Sequence, residues 1–538
     1  MVLGTVQSTY LVQLRSRNRE LAPELFPRIN RRLWFGSGIA NASLVMQRVN
    51  RNRNLLSTGL GKAAWLACGA SFTVPRHRAG SGRHLARVDL TPVSTQRVHR
   101  RRSLLSAILV VICTVPAVAQ LDVVASTADT NNAAPPAPNA APLDTGSRRY
   151  LLGDWGGERT ALAEKGVTFD FFYISDMEAN PSGGVQQTQA GWERVRGTID
   201  INFDQMIQWK GLSFHATGLW QGGANLGGKI GTLANPSDLV SAHATRLDSF
   251  WLQQFFLHNK IRVRAGQLAG LDFYGNQEYG GSWLIEPMGY AFGNLFTSVY
   301  EPFNPAGTPG FEVYFAPTRN IYVKSAVMAG NRNPYEEDTN GFHFAIRDTP
   351  DFLFEAGYLL HPPDGNASQS AGSAKSYPGE YKFGAVYNGG KFSDPEGRMT
   401  NGNYLIYGMA SQALFRTDAG SNRGLDATVG FDWSPGDVTR ENSQVTVGAR
   451  FNGPFARRQR DRVACAFVYT KISDPFSTYG ELLGAPPLGS EKAFEVNYSL
   501  QVTRYWLLQP VFQYYVNVGG DAALSNAPVL GFRTKVTF

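Results

Sequence analysis

The segment Pro528-Val-Leu-Gly-Phe-Arg-Thr-Lys-Val-Thr-Phe538 alternates between two kinds of side chain. Successive side chains of an extended strand point to opposite faces, so Leu530 and Phe532 share one face. Arg533 and Lys535 share the other face. Such a strand could be the edge of a soluble sandwich, but soluble proteins rarely leave a long, flat, apolar edge exposed. A strand of a transmembrane barrel needs about 9–11 residues of this alternation, and a closed barrel has no free edge.

The positive charge of the chain is confined to its N-terminal part. The formal net charge is +8, from 51 Lys and Arg residues and 43 Asp and Glu residues. Residues 1–119 hold 18 of the basic and 3 of the acidic residues, so residues 120–538 hold 33 basic and 40 acidic residues, a net charge of −7. This distribution argues against a nucleic-acid-binding protein. The 57 glycines and the aromatic content of 12% indicate an aromatic-rich β protein.

Residues 97–119 have the layout of a secretory signal peptide. An arginine-rich start precedes an apolar core at 104–115, which is too short to span a membrane as a helix. Ala117-Val-Ala119 then supplies a small-x-small cleavage motif. We therefore predict that residues 1–96 are an upstream extension outside the mature protein, and that the mature chain begins near Gln120.

The composition changes twice after the signal. Residues 120–147 are rich in Ala and Pro and predict a disordered lead-in, because they cannot bury enough apolar surface to fold. A short helix is expected next, since Asp154 can cap its first amides and Gly166 suits a left-handed stop after Lys165. The barrel domain is expected over residues 148–538, with this helix before its first strand.

Beyond Gly166 the apolar pattern has a period of two. Roughly sixteen segments alternate in this way and are bounded by Gly, Pro, Asn or Asp, which agrees with the even strand number of single-chain bacterial barrels. The connections at 259–260 and 318–320 are tight, whereas those at 271–309 and 361–379 are long. Because outer-membrane barrels have short periplasmic turns and long outer loops, we expect both long connections on the outer side.

The segment Ile261-Arg-Val-Arg-Ala-Gly-Gln-Leu268 places Arg262 and Arg264 on one face of a strand. On a soluble barrel both side chains would simply face water. In a membrane barrel, an arginine that faces lipid near the midplane costs about 2–4 kcal/mol, so the two side chains are expected to line the lumen. Their removal is expected to leave no buried partner without its counterion.

Several stretches together resemble the carbohydrate-selective porin family of the bacterial outer membrane, the OprB type. In order, they are Asp154-Trp-Gly-Gly157 with Arg159 before Gly166-Val-Thr-Phe-Asp170, Arg262-Val-Arg-Ala-Gly-Gln-Leu268, Pro378-Gly-Glu-Tyr-Lys-Phe-Gly384 and Leu530-Gly-Phe-Arg-Thr-Lys-Val-Thr-Phe538. The resemblance covers about residues 148–538. It implies an all-β, monomeric, transmembrane antiparallel β-barrel of about sixteen strands that lets sugars cross the outer membrane by passive diffusion. The segment ending at Phe538 also resembles the signal by which the barrel-assembly machinery recognises its substrates.

The long connection at 271–309 is the expected source of a constriction that folds into the barrel. Sugar passage requires apolar surfaces for the C–H faces of pyranose rings, and planar donors and acceptors for hydroxyl groups. The candidate channel-lining residues, from this connection and the strand before it, are Arg262, Arg264, Gln267, Glu278, Trp283, Glu286 and Tyr290. The aromatic residues of the connection could instead pack it against the barrel wall.

Four tryptophans near strand ends or turns are expected in the aromatic girdles at the membrane interfaces, with sugar contact as the alternative. They are Trp192, Trp209, Trp220 and Trp251.

Other functional classes are disfavoured by the residues they require. The histidines after residue 119 lack metal-ligand spacing, and no Gly-x-Ser-x-Gly motif accompanies them. The carboxylates at 336–338, beside Thr and Asn, are expected in a solvated turn rather than as a glycosidase pair. We therefore expect no catalytic residue, cofactor or metal, and sugars and outer-membrane lipid as partners. A general or ion-selective diffusion porin is the main alternative, ahead of a barrel enzyme, and the polar inward faces argue against a structural anchor.

Overall fold

A computed structural model describes residues 148–276, 278–289, 298–299, 307–330, 338–344, 346, 349–362, 377–418 and 422–538. The upstream extension, signal peptide and lead-in expected over 1–147, and the candidate Tyr290, lie outside the described residues. Within the described ranges, no helix combines the length and the apolar character needed to cross a membrane.

The described residues form sixteen antiparallel strands that close into one barrel. Every strand pairs with its neighbours in sequence, and β1 pairs with β16 to complete the ring. The strands are β1 (Val167–Asn180), β2 (Thr188–Asn202), β3 (Leu212–Gly223), β4 (Ala244–Phe256), β5 (Ile261–Leu268), β6 (Thr308–Phe315), β7 (Ile321–Met328), β8 (Asp351–Leu360), β9 (Gly379–Ser393), β10 (Met399–Arg416), β11 (Gly424–Trp433), β12 (Glu441–Asn452), β13 (Arg462–Ile472), β14 (Ser490–Gln501), β15 (Trp506–Val516) and β16 (Ala527–Thr537). The prediction of a sixteen-stranded antiparallel barrel is confirmed.

The helices of the described residues are short. They are α1 (Glu158–Glu164), α2 (Phe203–Ile207), α3 (Leu226–Ile230) and α4 (Asp474–Leu482), with 3-10 turns at Trp155–Gly157, Gly270–Asp272, Glu286–Met288 and Val518–Gly520. The expected helix before β1 is therefore present. Gly166 ends it with φ +85°, and a Cβ at this position would lie 2.5 Å from the carbonyl oxygen of Asn202. The position consequently favours glycine on both conformational and steric grounds.

The two faces of each strand differ as the alternation of β16 predicts. Arg533 and Lys535 are buried inside the barrel, whereas Leu530 and Phe532 expose 52% and 42% of their surface on the outside. The same outward exposure of apolar residues recurs around the ring. The outer surface is therefore apolar and suited to lipid, and the polar side chains of the strands point into the lumen.

Successive connections alternate between the two ends of the barrel, because neighbouring strands are antiparallel. The end nearest α1, which we call the turn end, carries the connections at 203–211, 257–260, 316–320, 361–378, 417–423, 453–461 and 502–505. The opposite end, the loop end, carries those at 181–187, 224–243, 269–307, 329–350, 394–398, 434–440, 473–489 and 517–526.

The prediction that both long connections are outer loops is wrong for 361–379. This connection joins β8 to β9, so it lies at the turn end together with the tight turns. Its length suggested an outer loop, but the number of strands that precede a connection decides at which end it lies.

Helix α1 is fastened across the junction of β1 and β16. Arg159 donates hydrogen bonds of 3.0 Å to the main-chain oxygens of Phe538 and Phe169. Its guanidinium carbon lies 3.5 Å from the ring centroid of Tyr150 and 4.8 Å from that of Trp155. Burial lowers the pKa of Arg159 from its ordinary value. The buried guanidinium thus joins the two strands that close the barrel.

Candidate functional site

Two loop-end connections fold into the barrel. They are the β3–β4 loop (224–243) and the β5–β6 loop (269–307), and their described residues contact inward-facing side chains of distant strands. The inward fold of the β5–β6 loop confirms the expectation of a constriction loop. The β3–β4 loop was not expected to take part.

The first part of the β5–β6 loop lies against strands β8 and β9. The amide of Gly275 donates a hydrogen bond of 3.0 Å to Glu355, and the amine of Lys382 donates one of 2.9 Å to the carbonyl of Asn276. Both wall residues are buried. Buried charged groups that bind main-chain atoms hold this part of the loop at a fixed position on the wall.

The second part of the β5–β6 loop lies against β13 and β14, on a different part of the wall. The amides of Leu284 and Ile285 donate hydrogen bonds of 2.9 and 2.7 Å to Glu495. The indole nitrogen of Trp283 donates one of 2.9 Å to the carbonyl of Cys465. Trp283 has no exposed surface, so its ring packs the loop against the wall.

Gly448 of β12 makes room for this packing. A Cβ at Gly448 would lie 2.6 Å from Cζ2 of Trp283 and 2.3 Å from Cε of Met288. Real Cβ atoms do not approach other atoms so closely, so any larger residue would displace the loop.

The two inward loops bind each other directly. The amide of Asp238 donates a hydrogen bond of 2.7 Å to the carbonyl of Leu284, and that of Glu286 donates one of 3.0 Å to the carbonyl of Asn235. The side chain of Asn235 returns a hydrogen bond of 2.7 Å to the Glu286 carboxyl. Burial raises the pKa of Glu286 to about 7. The loops therefore form one joined unit, with a carboxyl that titrates near neutral pH at their contact.

The β3–β4 loop is also attached to the barrel wall. The amides of Leu233 and Ala234 donate hydrogen bonds of 3.0 Å to Glu491 of β14. The hydroxyl of Ser237 donates one of 2.6 Å to Asp176 of β1. The loop thus spans from β14 to the closing strand pair.

Arg533 of β16 completes the attachment at the closing strand pair. It donates two hydrogen bonds of 2.7 Å to Asp176 on β1 and a further one to Asp238 of the β3–β4 loop. Burial raises the pKa of Asp238, although the positive charge of Arg533 opposes this effect.

Inward side chains on β5 to β9 form a row of alternating charge, the paired-charge row, and none of them exposes more than 9% of its side chain. Its members are Arg264, Glu312, Lys324, Glu355, Lys382 and Glu380. The ion-pair distances are 3.1 Å for Arg264 with Glu312, 2.8 Å for Lys324 with Glu355 and 2.8 Å for Lys382 with Glu380. Positive and negative groups are equal in number, so the row has no net charge.

Aromatic rings hold Arg264 in place. Its guanidinium carbon lies 4.3 Å from the ring centroid of Trp251 and 4.0 Å from that of Phe273 in the β5–β6 loop. Trp251 also stacks on His215, with centroids 4.7 Å apart and ring planes at 11°. The stack fixes the guanidinium and joins the wall to the start of the inward loop.

The girdle prediction is wrong for two of the four tryptophans. Trp251 lies inside the barrel against Arg264 and His215, and Trp192 is buried with its ring perpendicular to that of His243 of the β3–β4 loop, at a centroid distance of 5.1 Å. Both occupy inward positions of their strands. Trp209 and Trp220 are exposed, as girdle residues must be.

The structure brings the predicted site residues together only in part. Arg262 and Arg264 both donate to Glu312 at 3.1 Å, and Gln267 is a buried wall residue that donates to the carbonyls at 247 and 248. Glu278 and Glu286 are partly exposed in the β5–β6 loop.

Sequence reasoning missed Glu491 and Glu495. Because Phe494 and Val496 face outward, the alternation of the strand could have shown that Glu491 and Glu495 face inward. The residues of the loops to which they bind could not have been inferred.

Comparisons with known proteins agree with this architecture. The family model "Carbohydrate-selective porin, OprB family" matches residues 186–538. Porin B of Pseudomonas aeruginosa is 24% identical over 445 residues, covering 75% of this chain and 94% of that protein. The putative porin QuiX of Acinetobacter baylyi is 21% identical over 429 residues, covering 73% and 93%.

A solved structure has the same fold. OprB of Pseudomonas putida at high pH superimposes with a TM-score of 0.67 at 19% identity, covering 73% of this chain and 99% of that one. The family match extends over more than half of the chain and includes β2 to β16 with both inward loops. The chain therefore belongs to the OprB family of carbohydrate-selective porins.

Proposed function

We propose that this outer-membrane channel passes neutral mono- and oligosaccharides by passive diffusion, and that the joined β3–β4 and β5–β6 loops, with the wall of β5 to β9 beside them, form its selective part. The candidate contacts are the partly exposed Arg262, Glu278 and Glu286, with Arg264 held among aromatic rings behind them. Of the other candidates proposed from sequence, Gln267 and Trp283 are buried and hold the wall and the loop in place, and Tyr290 lies outside the described residues.

The observation that carries this proposal is the paired-charge row. A pore that selects ions by its charged side chains needs unpaired charge of the opposite sign on its wall. Here each described lysine and arginine of the row has a carboxylate within 3.1 Å, and the neighbouring Arg262 shares Glu312 with Arg264, so the charges of this part of the wall are paired and nearly balanced. Such a wall suits a solute that is polar but uncharged.

A second candidate, passage of anions, is favoured by one cluster on β10 to β13. Arg416 and Arg450 both pair with Asp426, at 2.6 and 2.9 Å, so two guanidiniums share one carboxylate. Arg462 lies beside them and donates to the same Ser282 hydroxyl as Arg450, at 2.9 and 3.2 Å. This part of the wall carries excess positive charge and would favour acidic sugars or other anions.

Planar-bilayer recording separates the two candidates. Under the proposed function, glucose and larger neutral oligosaccharides reduce the ion current with a saturating dose dependence, and uncharged polymers of equal size do not. Saturation by acidic but not neutral sugars, lost in Arg450→Gln, would favour the anion candidate. A current insensitive to all sugars would reject carbohydrate selectivity and leave a general diffusion porin.

The proposal involves no covalent step and no cofactor, so sugars recovered after passage should be chemically unchanged. We further propose a monomeric barrel in outer-membrane lipid, assembled through recognition of the strand that ends at Phe538, and a mature chain that begins near Gln120. N-terminal sequencing of the outer-membrane protein tests the last point, and cross-linking in membranes tests the first. Normal membrane levels after deletion of Phe538 would contradict the assembly role.

A further inference from the structure

Glu495 of β14 accepts four hydrogen bonds, all from uncharged donors. Two come from the consecutive loop amides of Leu284 and Ile285, at 2.9 and 2.7 Å. The side chains of Asn497 and Gln513 supply the others, at 2.7 and 2.9 Å. A carboxylate is an acceptor-only group with two oxygens, and it matches a pair of adjacent main-chain amides as no neutral side chain does.

Glu491, on the same strand, makes a similar arrangement with the other inward loop. It accepts hydrogen bonds from the consecutive amides of Leu233 and Ala234 in the β3–β4 loop, both at 3.0 Å. A third donor, the amide of Gly519 in the connection 517–526, lies at 2.8 Å. Glu491 and Glu495 are each 1% exposed. Throughout the described residues, no lysine or arginine side chain pairs with either carboxylate.

We propose that Glu491 and Glu495 are positioning residues that set the aperture of the channel, each holding one of the two inward loops by a pair of main-chain amides. The inference rests on the proposed function, because this aperture is the one through which the sugars would pass. Strand β14 then acts as the common support of both loops. Neither carboxylate takes part in the main-chain pairing of β14 with β13 and β15, so the barrel does not depend on them for its strand order.

Replacement of one glutamate by glutamine separates loop positioning from barrel formation. Glutamine keeps one acceptor oxygen and presents an NH2 group to donors that need an acceptor, so at least one loop amide loses its partner. In Glu495→Gln we expect hydrogen exchange at the amides of Leu284 and Ile285 to rise on the order of tenfold or more, with no change at Leu233 and Ala234. Glu491→Gln should raise exchange at one or more of the amides of Leu233, Ala234 and Gly519, with no change at Leu284 and Ile285.

Glu178 of β1 offers a matched control. It is a buried inward glutamate near the same cluster, and it makes no hydrogen bond to either loop within the described residues. Glu178→Gln should leave loop-amide exchange and single-channel conductance unchanged. The two β14 variants should raise the conductance and raise the sugar concentration needed for half-block, while retaining the heat-modifiable gel mobility of a folded barrel.

A second variant removes the donor instead of the acceptor, in case Glu495→Gln does not assemble. Ile285 has φ −58°, a value that proline adopts, so Ile285→Pro deletes one amide and leaves the wall intact. It should raise the conductance as Glu495→Gln does.

Unchanged exchange at the loop amides in the β14 variants, or an equal effect of Glu178→Gln, would overturn the inference. Exchange and conductance do not require sugar. If the wild-type channel shows no sugar block, the proposed function fails while these two measurements still decide the role of Glu491 and Glu495.

Discussion

Arg264 of β5 and Glu312 of β6 face each other directly across their strand pair, joined by a hydrogen bond of 3.1 Å. Arg262 donates to the same carboxylate oxygen, also at 3.1 Å, and the Glu312 side chain has no exposed surface. The expectation that removing both arginines leaves no buried partner behind is therefore wrong. Their partner lies 50 and 48 residues further along the chain, on a strand whose register with β5 the local pattern does not reveal.

The double variant Arg262→Ala/Arg264→Ala should lower the free energy of unfolding by about 3–5 kcal/mol, because it leaves Glu312 buried without the two guanidiniums that donate to it. Adding Glu312→Gln should restore much of this loss. The urea midpoint of the detergent-solubilised barrel measures both effects. Arg398→Ala, at a side chain that is 71% exposed, is the control and should leave the midpoint unchanged. Equal midpoints for the double and triple variants would show that Glu312 does not depend on the arginines.

Arg159→Gln should loosen the junction of β1 and β16. The variant loses the hydrogen bonds to Phe538 and Phe169 and the contacts with two aromatic rings, so we expect a loss of about 1–3 kcal/mol. Hydrogen exchange at the amide of Phe538, which donates to the carbonyl of Phe171, should accelerate. Arg149→Gln is the control, since that residue is exposed and its guanidinium lies farther from the Tyr150 ring, at 5.4 Å. Unchanged exchange at Phe538 would show that α1 does not fasten the junction.

The pKa of Glu286, raised by burial to about 7, predicts a pH dependence of selectivity. The raised pKa means that the folded loops favour the protonated carboxyl. Its contribution to stability is fully present below the unfolded value of about 4.3 and is lost as the pH rises through about 7. As the pH falls from about 8 to about 6, the loop contact loses a negative charge, and the reversal potential should move toward anion selectivity.

Glu286→Gln should remove most of this shift. Asp238 and Glu441 are the acidic neighbours that affect the same carboxyl. Glu396→Gln, at an exposed position of the connection 394–398, is the control. The same shift in Glu286→Gln as in the wild type would assign the titration to another group.

Gly448→Leu should push the β5–β6 loop away from the wall and narrow the channel. The added side chain occupies the space of the Trp283 ring, and overpacking of this kind costs about 1–3 kcal/mol. We expect a lower single-channel conductance in a barrel that still assembles. Gly408→Leu is the control, because no atom lies within 4 Å of a Cβ at that position of β10. If the conductance of Gly448→Leu equalled that of the control, Trp283 would not pack against Gly448 in the membrane-inserted channel.

Alternation within single strands was sufficient to predict the barrel, its strand number and the inward direction of Arg533 and Lys535. It failed where neighbouring residues are all large and apolar. In Phe250-Trp251-Leu252 all three residues are large and apolar, so the outward face is apolar whether Trp251 points outward or its two neighbours do. The inward direction of Trp251 could therefore not be derived. Tertiary pairing of β4 with β3 and β5 settles the direction.

The candidate site was predictable only as a segment. The length and aromatic content of 271–309 identified a constriction loop, but not which of its residues face the wall. Trp283 resembles a sugar contact in sequence, yet Gly448 on a distant strand provides the space that buries it. The β3–β4 loop carried no signal of its own, because it binds the wall through main-chain amides and through Ser237 and Asp238, which are residue types common in any loop.

The paired-charge row also determines how far its charges act. Adjacent strands lie about 5 Å apart, so the sign of the wall charge reverses over that distance along the circumference. The potentials of neighbouring charges cancel beyond roughly one such spacing, and a solute near the channel axis experiences almost none of them. Only a molecule that touches the wall meets a single guanidinium, ammonium or carboxylate. We therefore expect sugars to be recognised by direct contact, and added salt, which screens fields over about 8 Å at physiological strength, to leave sugar affinity nearly unchanged.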